Sequence, residues 1–118
     1  MKRLIKRIEE LGWTINQEDG TVYELGKYSP AGHDFWISVD SEGSAEWFIE
    51  NLFEVYCDFD VSYETYLWLD SNGHGKKGAP YDMRDLYDDM EASQNNILAL
   101  YNELNLIDLD DEEEDADL

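Results

Sequence analysis

Leu4, Ile5, Ile8 and Leu11 recur at three- and four-residue intervals near the start of the chain, with Lys2, Arg3, Lys6 and Arg7 on the remaining faces. An α-helix needs that period to gather its apolar side chains on one side, so the segment predicts a short amphipathic helix, and Gly12 supplies its C-terminal stop. From Trp13 the period falls to two. Trp13, Ile15 and Gln17 alternate with Thr14, Asn16 and Glu18, and then Tyr23 and Leu25 with Val22 and Glu24. The Asp19-Gly20 pair between these runs suits the positive φ angles of a tight hairpin turn. "YSPAGHD" makes a second turn around Pro30 and Gly32, after which Phe35, Ile37 and Val39 alternate with Trp36 and Ser38. Three antiparallel strands in a meander follow from this pattern.

Helical spacing returns in "SAEWFIENLFEVYCDF", where Ser44 is the expected N-cap and Phe48, Ile49, Leu52, Phe53 and Tyr56 form an apolar stripe. A sheet with one face to bury needs such a partner. Residues 60–72 fit two patterns. Tyr63, Tyr66, Leu67 and Asp70 suit a short helix capped from Asp60 or Ser62, whereas Tyr63, Thr65, Leu67 and Leu69 suit a strand; the helix is the favoured reading. "SNGHGKKGAP" is a glycine-rich loop. Beyond Pro80 the longest helix is expected to bury Met83, Leu86, Tyr87, Met90, Ile97, Leu98, Tyr101 and Leu104. The fold class predicted is α+β: a three-stranded antiparallel β-meander preceded by one helix and followed by two or three helices packed on it. Residues 1–107 form a single domain and 108–118 a disordered acidic tail.

Composition sharpens this picture. At 118 residues the chain suits one core rather than two, and with 42% hydrophobic and 14% aromatic residues it is not the apolar-poor composition of a disordered protein. The single cysteine, Cys57, cannot form an internal disulfide and is expected to be a small buried hydrophobe. No apolar run is long enough for a signal peptide or a membrane span, so a cytoplasmic protein is expected.

Charge narrows the function classes further. The 29 acids against 8 bases give a net charge of −21, and removing the eight acids of residues 108–118 still leaves −13 on the remainder. Such a field repels nucleic acid and anionic membranes and attracts basic proteins.

Individual motifs exclude more than they assign. "DSNGHGKKGAPY" matches an EF-hand loop at Asp70, Asn72 and Gly75, but Tyr81 stands where the bidentate glutamate belongs, and Lys76 and Lys77 bring positive charge to the cation's place. The same loop lacks the spacing of a phosphate-cradling motif. His33 and His74 have no second histidine or cysteine at ligand spacing and are expected to be solvated turn residues. No nucleophilic constellation is visible, so no catalytic residue, metal or cofactor is assigned and the chain is expected not to be an enzyme.

What remains is the acidic start of the last helix. Asp82, Asp85 and Asp89, with Asp88 and Glu91 beside them, are spaced to form a ridge of carboxylates. Nucleic-acid-binding proteins place arginines to meet phosphates and guanine edges, and a carboxylate engages the same guanidinium fork. The ridge is therefore a candidate to compete for a nucleic-acid site, although first-turn acids such as Asp82 and Asp85 also complement the helix dipole. Tyr23, Tyr28, Trp36, Tyr63, Tyr66, Trp68 and Tyr81 are too many to be interior together. Trp36 and Tyr66 are assigned to the partner surface, where an exposed ring beside a carboxylate stacks on arginine.

The order helix, three-strand meander, helix and final acidic helix containing "DLYDDM" resembles the small acidic anti-CRISPR proteins of phages and mobile elements that inhibit type II CRISPR nucleases. "KYSPAGHDF" and "YLWLDSNGHGKKGAPYDMRDLYDDME" also resemble small proteins of such elements in Gram-positive bacteria. The resemblance implies a DNA-mimicking inhibitor whose Asp85, Asp88, Asp89 and Glu91 occupy the arginines that read the protospacer-adjacent motif, with Tyr87 in the core. The partner would be a CRISPR nuclease or, as second choice, a restriction enzyme, met inside a bacterial host cell. The alternative is an assembly or regulatory module of a mobile element, acidic for solubility, that binds a protein through its aromatic surface.

Overall fold

The computed structural model describes residues 1–107; the tail expected over 108–118 lies outside the described residues. Helix α1 (Lys2–Glu10) leads into strands β1 (Thr14–Asp19), β2 (Val22–Tyr28) and β3 (Asp34–Asp40), followed by α2 (Ala45–Asp58), α3 (Val61–Asn72) and α4 (Met83–Leu104). The layout is α+β, and the sheet is an antiparallel meander in the order β1-β2-β3. Among the described residues no helix is long and apolar enough to cross a membrane.

The first hairpin turns one residue later than the Asp19-Gly20 pair suggests. Asp19 pairs with Val22 as the last rung, Gly20 and Thr21 form the loop, and the register shifts between Gln17 and Asp19. Gly20 carries the positive φ, 51°, that the turn requires.

The sheet buries one face only. Tyr23 and Leu25 of β2 and Phe35, Ile37 and Val39 of β3 point inward, where Leu4 and Ile8 of α1, Phe48, Ile49 and Leu52 of α2, and Ile97, Leu100 and Leu104 of α4 cover them. The basic first helix is tied to the last by Arg7 Nη2, 2.8 Å from Glu103 Oε2. On the outer face the Trp36 indole lies against Gly26, where a Cβ would fall within 2.6 Å of three ring atoms.

A second, smaller core forms where the first half of α4 meets α3. Ala79, Leu86 and Met90 pack there with the half-buried Phe59, Val61, Trp68 and Leu69. The ambiguous segment 60–72 is thus a helix. Asp60 caps it by accepting from the Tyr63 N–H, and Gly73, at φ 80°, ends it. Its inward residue is Thr65, while Tyr63, Tyr66 and Leu67 are exposed. A small side chain lets two helices approach closely, and the Thr65 hydroxyl is satisfied by the Val61 carbonyl at 2.7 Å.

Several side chains depart from the sequence reading for the same geometric reason. Cys57 is exposed, because Phe48, Leu52 and Val55 define the buried side of α2 and residue 57 falls opposite them. Phe53 stands at the rim of that side, 38% exposed. On α4 the inward direction runs through Leu86, Met90, Ser93 and Ile97, which leaves Met83 and Tyr87 on the flank, so Tyr87 is not a core residue.

Candidate functional site

The sequence-predicted ridge lies on the first three turns of α4, and the helix period divides it. Asp82 is the N-cap: its Oδ1 accepts from the backbone N–H groups of Arg84 at 2.9 Å and Asp85 at 3.3 Å. Asp85, Asp88 and Glu91, each three residues from the next, are exposed. Asp85 and Asp88 border a shallow hollow of about 540 Å³ whose other walls include Pro30, Ala31, Pro80 and Ala92.

Asp89 also lines that hollow, but it is not exposed with the other two. It follows Leu86 by three residues and precedes Ser93 by four, which turns it to the buried side, and only 5% of it is accessible. There its Oδ2 accepts from the Ser29 hydroxyl at 2.6 Å and its Oδ1 from the Ala31 N–H at 3.2 Å. The same hydroxyl accepts from the His33 N–H at 2.9 Å, and the Ser29 N–H donates to the His33 carbonyl at 2.9 Å. One carboxylate thereby fastens the β2–β3 turn to α4. Asp89 is withdrawn from the exposed ridge by these bonds.

His33, expected as a solvated turn residue, is buried too. Its ring lies 4.3 Å from that of Trp68, and its Nδ1 stands 3.8 Å from Asp89 Oδ2, beyond hydrogen-bonding distance. Burial lowers its pKa from the ordinary 6.5, and the positive Lys77 adds to this, against the opposing pull of Asp89 and Asp34. Ser29, His33 and Asp89 therefore form a serine-histidine-aspartate cluster that sequence reading missed. Its connectivity is not that of a catalytic triad: the hydroxyl donates to the carboxylate rather than to the imidazole, and all three groups are buried. The available signal was the serine, histidine and free turn N–H groups of "YSPAGH" facing an aspartate at a core position of a helix.

Beside this knot a cleft of about 510 Å³ opens between β3 and α3, lined by His33, Asp34, Trp36, Glu64, Trp68 and Lys77 among others. Trp36 is 42% exposed, and its indole N–H donates to Asp34 Oδ1 at 2.8 Å. Tyr66 is exposed on α3 but is not among the cleft's walls, so the two aromatics assigned from sequence do not meet there. Lys77 Nζ sits 5.9 Å from the centre of the Trp68 ring, a cation–π arrangement. Burial raises the pKa of Glu64, and nearby Asp60 raises it further. The indole nitrogen of Trp68 is buried without an acceptor. Among the described residues no three histidine, cysteine or acidic side chains come together to hold a metal ion.

No protein-family model matches the chain, and neither a curated protein nor a solved structure matches it.

Proposed function

We propose that the protein is a non-catalytic acidic inhibitor that occupies the basic nucleic-acid-binding site of a partner protein by presenting carboxylates in place of DNA phosphates. The observation that carries this reading is the row Asp85, Asp88 and Glu91, exposed along the first half of α4. Neighbours three residues apart on a helix place their side chains about 5–6 Å from one another, a spacing that arginine and lysine side chains can meet singly or in bidentate fashion. The layout resemblance supplies the first candidate for the partner, the motif-reading site of a type II CRISPR nuclease in a bacterial cytoplasm; a restriction enzyme is the second.

The test is inhibition of DNA cleavage by purified guide-loaded nuclease, comparing the parent with the charge reversal D85K/D88K/E91K. Asp89 is left out because it holds the fold. Losing three charge-assisted contacts at about 1.5 kcal/mol each weakens inhibition on the order of a thousandfold. A folded triple variant that inhibits like the parent refutes the reading.

A second reading, an assembly or regulatory module of a mobile element, is favoured by the exposure of Trp36 and Tyr66. Ionic strength separates the two. Binding through exposed carboxylates weakens steeply with salt, whereas binding anchored on aromatic rings changes little.

A further inference from the structure

Among the described residues β3 has no strand on its outer side, because the order β1-β2-β3 leaves it at an edge of the sheet. Register settles which of its backbone groups face that edge. Opposed residues of an antiparallel pair alternate between those that exchange both N–H···O bonds and those that exchange none. The phase is fixed just beyond both ends of the β2–β3 ladder, where the Ser29 N–H donates to the His33 carbonyl at 2.9 Å and the Ser41 N–H to the Thr21 carbonyl at 2.8 Å. Phe35, Ile37 and Val39 share that parity and bond toward β2. Asp34, Trp36, Ser38 and Asp40 therefore turn their N–H and C=O groups outward.

Two further contacts agree. The Asp34 N–H donates to the Lys77 carbonyl at 3.3 Å, and the Asp40 carbonyl accepts from the Asn51 amide at 2.7 Å. The chain caps both ends of its own edge in this way. Between the caps, no protein group among the described residues meets the outward backbone of Trp36 or Ser38. Edge strands are usually blunted by proline, a bulge or a covering segment. The middle of β3 has no proline, and its register with β2 is unbroken.

The space beside this stretch is open. The 510 Å³ cleft continues into a second of about 300 Å³, and the two share Phe35, Trp36 and Glu64. Carboxylates line both, with Asp34 in the first, Asp58 in the second and Glu64 shared between them. Lys77 over Trp68 marks where a cation already stacks.

We propose that the middle of β3 is a docking edge for an extended basic segment of another protein, which adds to the sheet as a fourth strand. Its backbone completes the outward bonds of Trp36 and Ser38, and its alternate side chains reach the carboxylates of the groove. Asp34 to Ser38 spans about 13 Å at roughly 3.3 Å per residue, room for a four- or five-residue strand. A second copy of this chain is opposed by its own net charge of −21. Glu64 fits the same logic, since its half-buried charge is disfavoured by burial and an incoming cation relieves that. This surface is separate from the α4 carboxylates, so it stands or falls independently of the function proposed above.

The probe is a capped hexapeptide of alternating valine and lysine, added to the full chain and followed by residue-resolved amide hydrogen exchange. Expected is saturable slowing of at least about tenfold at Trp36 and Ser38, with the amides of Phe35 and Ile37 already protected in the free protein. A peptide N-methylated at every residue keeps its charge but cannot donate, and it should leave those amides unprotected. Ser38→Pro removes an outward N–H without breaking a backbone bond to β2, at the expense of the bond from the Ser38 hydroxyl to Glu24 of β2, and should abolish the slowing at Trp36; Glu64→Gln should weaken binding several-fold. D85K/D88K/E91K should leave the slowing in place.

The proposal is overturned if the peptide fails to bind saturably, if the N-methylated peptide protects equally, or if protection disappears with the α4 charge reversal. It is also overturned if Trp36 and Ser38 are protected without peptide in a dimer of the chain, because the occupant is then a second copy. The N-methylated peptide decides the matter even where Ser38→Pro does not fold.

Discussion

Removing the Asp89 carboxylate should cost stability out of proportion to a single acid in so acidic a chain. In Asp89→Ala the Ser29 hydroxyl and the Ala31 N–H lose their acceptor, at 2.6 and 3.2 Å in the parent. A hydrogen bond to a charged group contributes about 1.5–3 kcal/mol, and relief of the buried charge's desolvation offsets part of this. The balance is a loss of about 3 kcal/mol, or on the order of 10–15 °C in Tm for a domain of this size. Asp88→Ala, one residue away and exposed, should stay within about 0.5 kcal/mol of the parent. Asp89→Asn should fall between, since the amide keeps one acceptor but sets an NH₂ against the donors of the turn. Urea and thermal melts of the three variants at one pH and salt concentration measure this directly. If Asp89→Ala melts within about 2 °C of the parent, the carboxylate does not hold the β2–β3 turn to α4, and the division of the acidic ridge into anchor and surface is wrong.

Three other substitutions probe the same region. Because burial lowers the His33 pKa below 6.5, the folded state binds fewer protons there than the unfolded chain. The contribution of this histidine is fully present above pH 6.5 and is lost as pH falls toward the lowered pKa; in His33→Gln the decline over that window should shrink, and an unchanged pH profile would exclude the effect. Glu64 has the opposite sign, its pKa raised above the ordinary 4.5 by burial and by Asp60. Glu64→Gln should therefore raise Tm at neutral pH, with the gain vanishing as pH falls toward 4.5; a gain that persists in acid would point to packing instead. Gly26→Ala should expel Trp36 from its place over residue 26, since the new Cβ falls within 2.6 Å of three ring atoms, with a loss of about 1–3 kcal/mol. Trp36 fluorescence should shift to the red as the ring becomes solvated, and a parent-like spectrum would refute the overlap.

The periodic features of the chain were legible before the structure. Ser44 caps α2 as expected, its side chain accepting from the Trp47 N–H, and Asp60, one of two candidates with Ser62, caps α3; Asp82, read only as a ridge and first-turn acid, is the cap of α4. The alternation of Phe35, Ile37 and Val39 fixed the buried face of β3. What escaped the sequence is any property that depends on a second element. Helical spacing alone assigns Asp89 to a ridge with Asp82 and Asp85 as readily as to the core with Leu86 and Ser93. The choice is made by the 29–33 turn, which brings the Ser29 hydroxyl and the Ala31 N–H to within hydrogen-bonding distance of the carboxylate. A buried carboxylate without such donors would be prohibitive, so a charge at a core position is a clue that polar groups from elsewhere converge on it.

The same reasoning separates two kinds of acid in this chain. Asp82 and Asp89 do local work: one satisfies backbone donors at a helix start, the other joins a turn to a helix. Asp85, Asp88 and Glu91 are exposed, and among the described residues no hydrogen bond or ion pair engages their carboxylates. Like charges at this spacing on a helix repel one another and lower stability by a few tenths of a kcal/mol per pair. A surface cost with no compensating internal contact is what a partner's cations would offset. The open edge of β3 has the same character in the backbone, with polar groups left unpaired between caps that the chain itself supplies at Asp34 and Asp40. The two surfaces flank the turn that Asp89 holds, Asp85 and Asp88 bordering the hollow beside Pro30 and Ala31 and Trp36 lining the cleft beside His33. Loosening that turn should therefore disturb both, and Asp89→Asn, the milder variant, should weaken binding at the α4 carboxylates and at the β3 edge together, whereas a change confined to either surface should leave the other intact.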